Sequence, residues 1–187
     1  MRTRRLRRGE ALRVSEGSVL HVLDGVLALS ASHSDGAEAL LGPFGAGHTM
    51  VDHPDDHCDL ALVAQTKAEV AIEDWDMAVR RAEFPMELRR RVRLLEAWSA
   101  MQAHPHLEQR IIGILSLLAE DFGRPHAGDT LIDVRVTHAQ IAAAVGAART
   151  TVTRTLGRLR RQGVIDTHRD EEGERICLRA ERATRHG

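Results

Sequence analysis

Three features of the sequence predict an α+β protein. Short apolar runs punctuated by glycine fill the first third, and a long stretch in the middle carries apolar residues every three or four positions. A strand, a capped helix, a turn, an arginine-rich helix and a hairpin then follow in succession. The expected parts are a small β-sandwich or barrel (residues 1–82), a long helix (83–104) and a winged helix-turn-helix (105–187). At 187 residues and 43% hydrophobic, the chain can bury a core in each of two modest domains.

In the first part, Val19–Leu23 and Val26–Leu29 flank Asp24-Gly25, and Ser34-Asp35-Gly36 offers a second turn. Gly42–Gly47 reads as a loop, since its glycines and Pro43 exclude a helix. Leu60–Ala64 and Glu69–Ile72 supply two more short strands. The pattern changes after Phe84-Pro85, a proline tolerated in a first helical turn. Leu88, Val92, Leu95, Trp98 and Met101 then recur at helical spacing, with Arg89, Arg90, Arg91, Arg93 and Glu96 on the other faces. A narrow apolar seam on a charged helix suits a contact between two copies, so Leu88, Val92, Leu95 and Trp98 are candidate dimer residues. Packing of that seam on its own barrel is the other use of the same pattern. His104-Pro105-His106 breaks the helix and makes a hinge, because the residue before proline avoids the α region. Leu107, Ile111, Ile114, Leu115 and Leu118 form a second amphipathic helix that stops at Gly123 and Pro125.

The C-terminal part opens with Leu131–Val136, which alternates as a strand. Thr137 with Gln140 three residues later is a capping box, and the helix it opens carries Ile141, Ala142 and Val145 and ends at Gly146. The next helix begins near Arg149 and carries Val152, Leu156 and Leu159. Ala142, Gly146 and Val152 stand where a close helix crossing needs a small residue, a left-handed turn and an apolar lock. Val164–His168 and Arg175–Leu178 flank Asp170–Gly173, a hairpin of wing size. Arg149, Thr150, Thr153 and Arg154 fall on the exposed face near the helix start and are candidates for reading base edges, since a guanidinium fork fits guanine O6 and N7. Thr151 and Arg158 are candidates for holding phosphate, helped by the positive helix end.

The net charge of −1 carries no nucleic-acid signal, but its distribution does. Acids dominate Gly47–Glu83, and arginines outnumber acids from Thr137 onward. Cys58 and Cys177 lie far apart with no CxxC spacing, which argues against a disulfide framework, a zinc knuckle or an iron–sulfur cluster. The basic start MRTRRLRRGEALR lacks the apolar stretch of a signal peptide, and no run reaches membrane-spanning length. A cytoplasmic protein with no membrane partner is expected. No nucleophile–base arrangement, phosphate loop or paired-carboxylate spacing stands out, so no catalytic residue and no enzyme activity is expected.

The segment VTHAQIAAAVGAARTTVTRTLGRLRRQGVI resembles the winged helix of the CRP/FNR family, and within it the nitrogen-control regulators, whose recognition helices run R-x-T-V-T-R. RIIGILSLLAEDFG resembles the helix that precedes the reader, and VLDGVLAL and LLGPFGAGH resemble parts of the family's cyclic-nucleotide-type β-barrel, a jelly roll. The likeness is specific over residues 107–168 and loose over 9–82. It implies a transcription regulator that binds double-stranded DNA as a homodimer on a two-fold symmetric operator and meets RNA polymerase. By the same analogy Arg149 and Arg154 read bases and Thr151 holds phosphate, with Thr137 and His168 at further phosphate-side positions. Thr150 departs from the acid of the cyclic-AMP receptors, so their operator is not implied. Ala148 replaces a serine or threonine, removing a hydroxyl that caps the helix.

Members of the family that take cyclic nucleotide use a Gly-Glu and an Arg-Ser pair. The matching stretch here, Gly47 to Asp59, is shorter, carries Cys58-Asp59 in the Arg-Ser place and adds Asp52, Asp55 and Asp56, which repel a phosphate. Cyclic AMP is therefore not expected as a ligand, and no cofactor is predicted. The chain also starts at or just before the family's first barrel strand, so a trimmed sensor is expected. His48, His53, His57 and Cys58 are metal-ligating types without a metal-motif spacing. They define the rival reading, a small cupin-like metal-dependent barrel with a DNA-binding appendage.

Overall fold

The computed structural model describes residues 1–34, 36, 38–52, 59–170 and 173–179, and the chain divides into two compact units, Met1–Ala97 and Trp98–Gly187. The first unit holds the strands β1 (Arg2–Leu6), β2 (Ala11–Leu12), β3 (Ser18–Asp24), β4 (Leu27–Ser32), β5 (Glu38–Phe44), β6 (Thr49–Val51), β7 (Asp59–Ala64) and β8 (Ala68–Asp74). They pair antiparallel into two sheets ordered β1-β8-β3-β6 and β2-β7-β4-β5. Both sheets feed one core, in which Leu6, Leu12, Leu20, Leu27, Phe44, Met50, Leu62 and Val70 come each from a different strand. The apolar residues on both faces of β3 have a physical cause. Leu20 and Val22 enter this core, while Val19 on the opposite face packs under Ala78 and Phe84.

The barrel departs from two local expectations. Asp24-Gly25 reads as a hairpin turn, yet β3 pairs with β6 and β8 whereas β4 pairs with β5 and β7. The dipeptide is a corner that carries the chain from one sheet to the other. Gly42-Pro43-Phe44, expected as loop, continues β5 opposite Leu27–Leu29, with a bulge where Leu29 gives way to Ser30. Proline is tolerated because β5 is the outer strand of its sheet.

Two helices follow the strands, α1 (Trp75–Ala78), for which the sequence reading has no counterpart, and α2 (Phe84–Gln102), whose last residues, from Trp98, belong to the second unit. The apolar positions of α2 do not share one environment. Phe84 is buried and Leu88 packs on its cluster, and Leu94 packs on the barrel core. Trp98 is 3% exposed, whereas Val92 is 51% and Leu95 37% exposed. Val92 and Leu95 thus form an open strip that runs from Leu88 through Ser99 at alternating four- and three-residue steps. Trp98, three residues after Leu95, lies instead toward the side of Phe84, Arg91 and Leu94. Trp98 is consequently covered by its own chain and is not available to a partner.

A polar cluster ties α2 to the barrel. His21 Nε2 lies 2.7 Å from Glu73 Oε1, its Nδ1 lies 3.0 Å from Thr49 Oγ1, and Arg81 donates to both Glu87 carboxylate oxygens at 2.8 and 3.1 Å. Burial works to raise the Glu87 carboxyl, and the Arg81 guanidinium outweighs it, holding the group below the usual carboxylate range. Arg91 is buried with its guanidinium 4.4 Å from the centre of the Phe44 ring, and desolvation lowers it to about 10.

The second unit contains α3 (Leu107–Phe122), β9 (Gly123–His126), β10 (Asp129–Ile132), α4 (His138–Val145), α5 (Arg149–Arg161), β11 (Ile165–Asp170) and β12 (Gly173–Leu178). The strands form one sheet ordered β11-β12-β10-β9, covered by the buried Ile111, Ile114, Leu115 and Leu118 of α3. The strand expected over Leu131–Val136 instead ends at Ile132 and is preceded by β9, with which it forms a hairpin. Its two-residue turn places Ala127 at φ 50° and Gly128 at φ 87°, the pair of positive values that a right-twisted hairpin requires. Among the described residues, no helix is long and apolar enough to cross a membrane.

Candidate nucleic-acid interface

The capping box at the start of α4 is formed as its residues specify. Gln140 N donates to Thr137 Oγ1 at 3.2 Å, and Thr137 N donates to Gln140 Oε1 at 2.9 Å. Gly146 ends the helix in the left-handed region (φ 62°, ψ 47°), which turns the chain sharply enough for α5 to start three residues later. Ala142 and Val145 of α4 face Val152, Leu156 and Leu159 of α5, all buried. This packing decides which side of α5 remains outside.

Arg149, Thr150, Thr153 and Arg154 are all exposed on α5. Arg149 and Arg154 lie five residues apart, about 7.5 Å along the axis. Ala148 is the N-cap and makes no side-chain cap bond; Thr151 N and Val152 N donate to its carbonyl, while the amides of Arg149 and Thr150 stay open at the positive end of the helix dipole. Thr151 is half-buried, and its carbonyl accepts from Thr155 Oγ1 at 2.9 Å. Gly157 sits in mid-helix although an added Cβ would meet only Arg161 Nη1, at 3.7 Å, so packing does not demand glycine there.

Several candidate side chains already have partners. Thr153 Oγ1 lies 2.9 Å from His138 Nδ1, a residue that sequence reasoning did not single out. Arg158 is paired with Glu108 in the first turn of α3. His168 stands with its ring 4.6 Å from that of His126. Thr137 Oγ1 also donates to Gln140 Oε1 at 3.0 Å, so its hydroxyl is occupied by the cap. An open cleft of about 740 Å³ separates the start of α3 from α5, lined by His106, Glu108, Thr151, Arg154, Arg158 and Arg161. Its single acid is the one that holds Arg158. Removing that charge by Glu108→Gln should free Arg158 and tighten binding to any duplex by up to about five-fold, the equivalent of at most ~1 kcal/mol for an exposed pair. Fluorescence anisotropy on a random-sequence duplex measures this. A loss of affinity would mean that Glu108 positions Arg158 and does not compete for it.

The wing strands β11 and β12 pair from Ile165↔Leu178 to Asp170↔Gly173. Cys177 is buried in β12, and burial, with Asp129 and Asp166 nearby, pushes its thiol up, which suits a packing residue. Among the metal candidates, His48 is buried. Its Nδ1 accepts from Gly45 N at 3.2 Å and its ring meets Phe44 edge-on, closing the turn between β5 and β6. His53, His57 and Cys58 lie outside the described residues. Among the described residues no three His, Cys, Asp or Glu side chains are placed to hold a metal.

Residues 109–183 match the family model of the Crp-like helix-turn-helix domain. This part of the chain is similar to the helix-turn-helix domain of Crp-like proteins. The global nitrogen regulators of Nostoc sp. (strain PCC 7120) and Synechococcus elongatus are 42% and 40% identical to it over 67 residues, 36% of this chain. That stretch spans 30% of the length of either regulator. Likeness of fold to solved structures extends over nearly the whole chain. A CRP/FNR-family transcriptional regulator from Thermus thermophilus superposes with a TM-score of 0.74 at 19% identity, covering 99% of this chain and 97% of its own. FixK2 from Bradyrhizobium japonicum gives 0.75 at 17%, covering 98% and 96%.

Proposed function

We propose that the protein is a sequence-specific transcription regulator of the CRP/FNR family that binds duplex DNA as a homodimer on a two-fold symmetric operator, without cyclic AMP. The observation that carries this reading is the outer side of α5, where Arg149, Thr150, Thr153 and Arg154 stand exposed at the uncapped, positive end of a helix locked onto α4. In this role Arg149 and Arg154 reach guanine edges in the major groove. Thr150 and Thr153 contact neighbouring bases, while Thr151, Arg158, Thr137 and His168 lie toward the backbone. The exposed Val92 and Leu95, beside the half-buried Leu88, support the dimer, with the partner's α2 as their cover. RNA polymerase is the further partner that such a regulator addresses, and the cytoplasm is its compartment.

Independence from cyclic AMP is supported by the barrel interior. Leu20, Leu27, Phe44, Met50 and Leu62 fill it, and among the described residues they leave a gap of about 30 Å³ lined by residues such as Leu12, Arg13, Leu29 and Leu60. Ligand pockets run to about 300 Å³ and more, ten times that space. The test is repeated selection from a randomised duplex pool with no nucleotide present. The expected result is convergence on one sequence, bound at least about 10³-fold tighter than random duplex. Calorimetry should then detect no heat with cyclic AMP. Convergence only after cyclic AMP is added would overturn the effector part of the reading, and no convergence would leave a DNA binder without sequence preference.

A further inference from the structure

We propose that the arginine-rich strand β1 is a second DNA-binding surface, which takes the phosphate backbone of duplex flanking the site read by α5. The proposal rests on the DNA-binding reading above. Residues 1–13 carry Arg2, Arg4, Arg5, Arg7, Arg8 and Arg13 against one acid, Glu10. Burial of the strand is served by Leu6 alone, since Arg2 to Arg5 are exposed throughout. β1 is the outer strand of its sheet, paired only with β8, and charge on an outer strand blocks unwanted pairing. One or two arginines satisfy that need, and the chain supplies more.

Two cations of the strand itself are paired. Arg4 donates to Glu10 at 2.8 Å, and Arg5 Nε stands 3.6 Å from Glu69. Arg2, Arg7 and Arg8 are exposed and form no ion pair among the described residues. Arg7 also lines a shallow groove of about 500 Å³ in which Arg5, Arg7 and Lys67 face Glu10, Asp24 and Glu69. The groove is near balance within itself, so the unpaired charge lies along the strand and just beyond its end.

The form of this charge fits duplex DNA. From Arg2 to Arg8 the chain spans roughly 20 Å, a length along which a duplex carries on the order of twelve phosphates. Several arginines can therefore each meet a phosphate at once, without a shaped pocket. Neither the strand nor the groove contains an aromatic side chain, the usual anchor of a protein–protein hot spot. A row of cations without anchors suits a repeating polyanion better than an acidic protein.

The test compares the full chain with the variant Arg2→Ser/Arg7→Ser/Arg8→Ser on two duplexes. One is the site enriched from a random pool, trimmed to its ends. The other carries about two turns of random sequence on each side. The wild-type chain should bind the flanked duplex about ten-fold tighter at low salt, and the variant should lose that preference. The slope of log affinity against log salt should fall by about 2–3 on the flanked duplex and stay unchanged on the trimmed one. Replacing the same three arginines by lysine should restore both. An unchanged preference, equal losses on both duplexes, or no rescue by lysine would overturn the proposal. An effect confined to transcription with polymerase, at unchanged DNA affinity, would overturn it in favour of an acidic protein partner. A wild-type chain that ignores the trimmed site would instead remove the reading on which this rests.

Discussion

Val92→Asp with Leu95→Asp should turn the protein into a monomer and reduce operator affinity by at least about 10³-fold. The size follows from burying two carboxylates in an apolar contact, which costs several kcal/mol even after relaxation. Losing the partner also halves the number of base-reading helices. The pair is a clean test because both side chains are exposed within their own chain. Circular dichroism and thermal unfolding of the barrel should therefore change little, while light scattering reports half the mass. Trp98→Ala should behave in the opposite way, weakening the fold with a far smaller effect on association, because Trp98 is buried by its own chain. A double variant that stays dimeric would place the interface elsewhere.

Gly25→Ala should be the most damaging small substitution in the barrel. The residue sits at φ 80°, and an added Cβ would lie 2.2 Å from Lys67 O and 2.7 Å from Ala68 Cα, both backbone atoms that cannot swing away. Left-handed strain of ~1–2 kcal/mol adds to overpacking of ~1–3 kcal/mol, so a loss of about 2–5 kcal/mol is expected. Gly9→Ala is the matched control. Its φ of 83° imposes the same strain, but nothing lies within 4 Å, so it should cost only about 1–2 kcal/mol. Urea titration of the two variants separates the terms. Equal losses would mean that the corner where the sheets meet can open to admit a methyl group.

The C-terminal unit was legible because its rules are local. A threonine and a glutamine three residues apart satisfy each other's backbone, and a glycine after the last apolar position takes the left-handed cap, whatever surrounds them. The two sides of α5 follow from its spacing alone. The barrel was harder, since Asp24-Gly25 looks the same whether the next strand returns beside the last or crosses to the opposite sheet. β1 was hidden by its arginines, which an outer strand tolerates and a propensity scale does not expect. The β9–β10 turn was missed because Ala127 occupies a position that normally calls for asparagine or glycine. Pairs such as Glu108–Arg158 and His138–Thr153 join distant residues, and no pattern in one sequence announces them.

The central claim is that the outer side of α5 reads bases. Its most direct test is a panel of duplexes in which each base pair of the enriched site is changed in turn, titrated with the wild-type chain, Arg149→Ala and Arg154→Ala. The wild type should lose ~1–3 kcal/mol for a change at a contacted pair, at positions related by two-fold symmetry. Each arginine variant should bind the unchanged site more weakly by a similar amount, and should become indifferent to one symmetric pair of positions while discriminating at the others. Arginine variants that weaken every duplex equally, random sequence included, and keep the wild-type pattern of preference would contradict the claim and leave α5 as a backbone-binding helix.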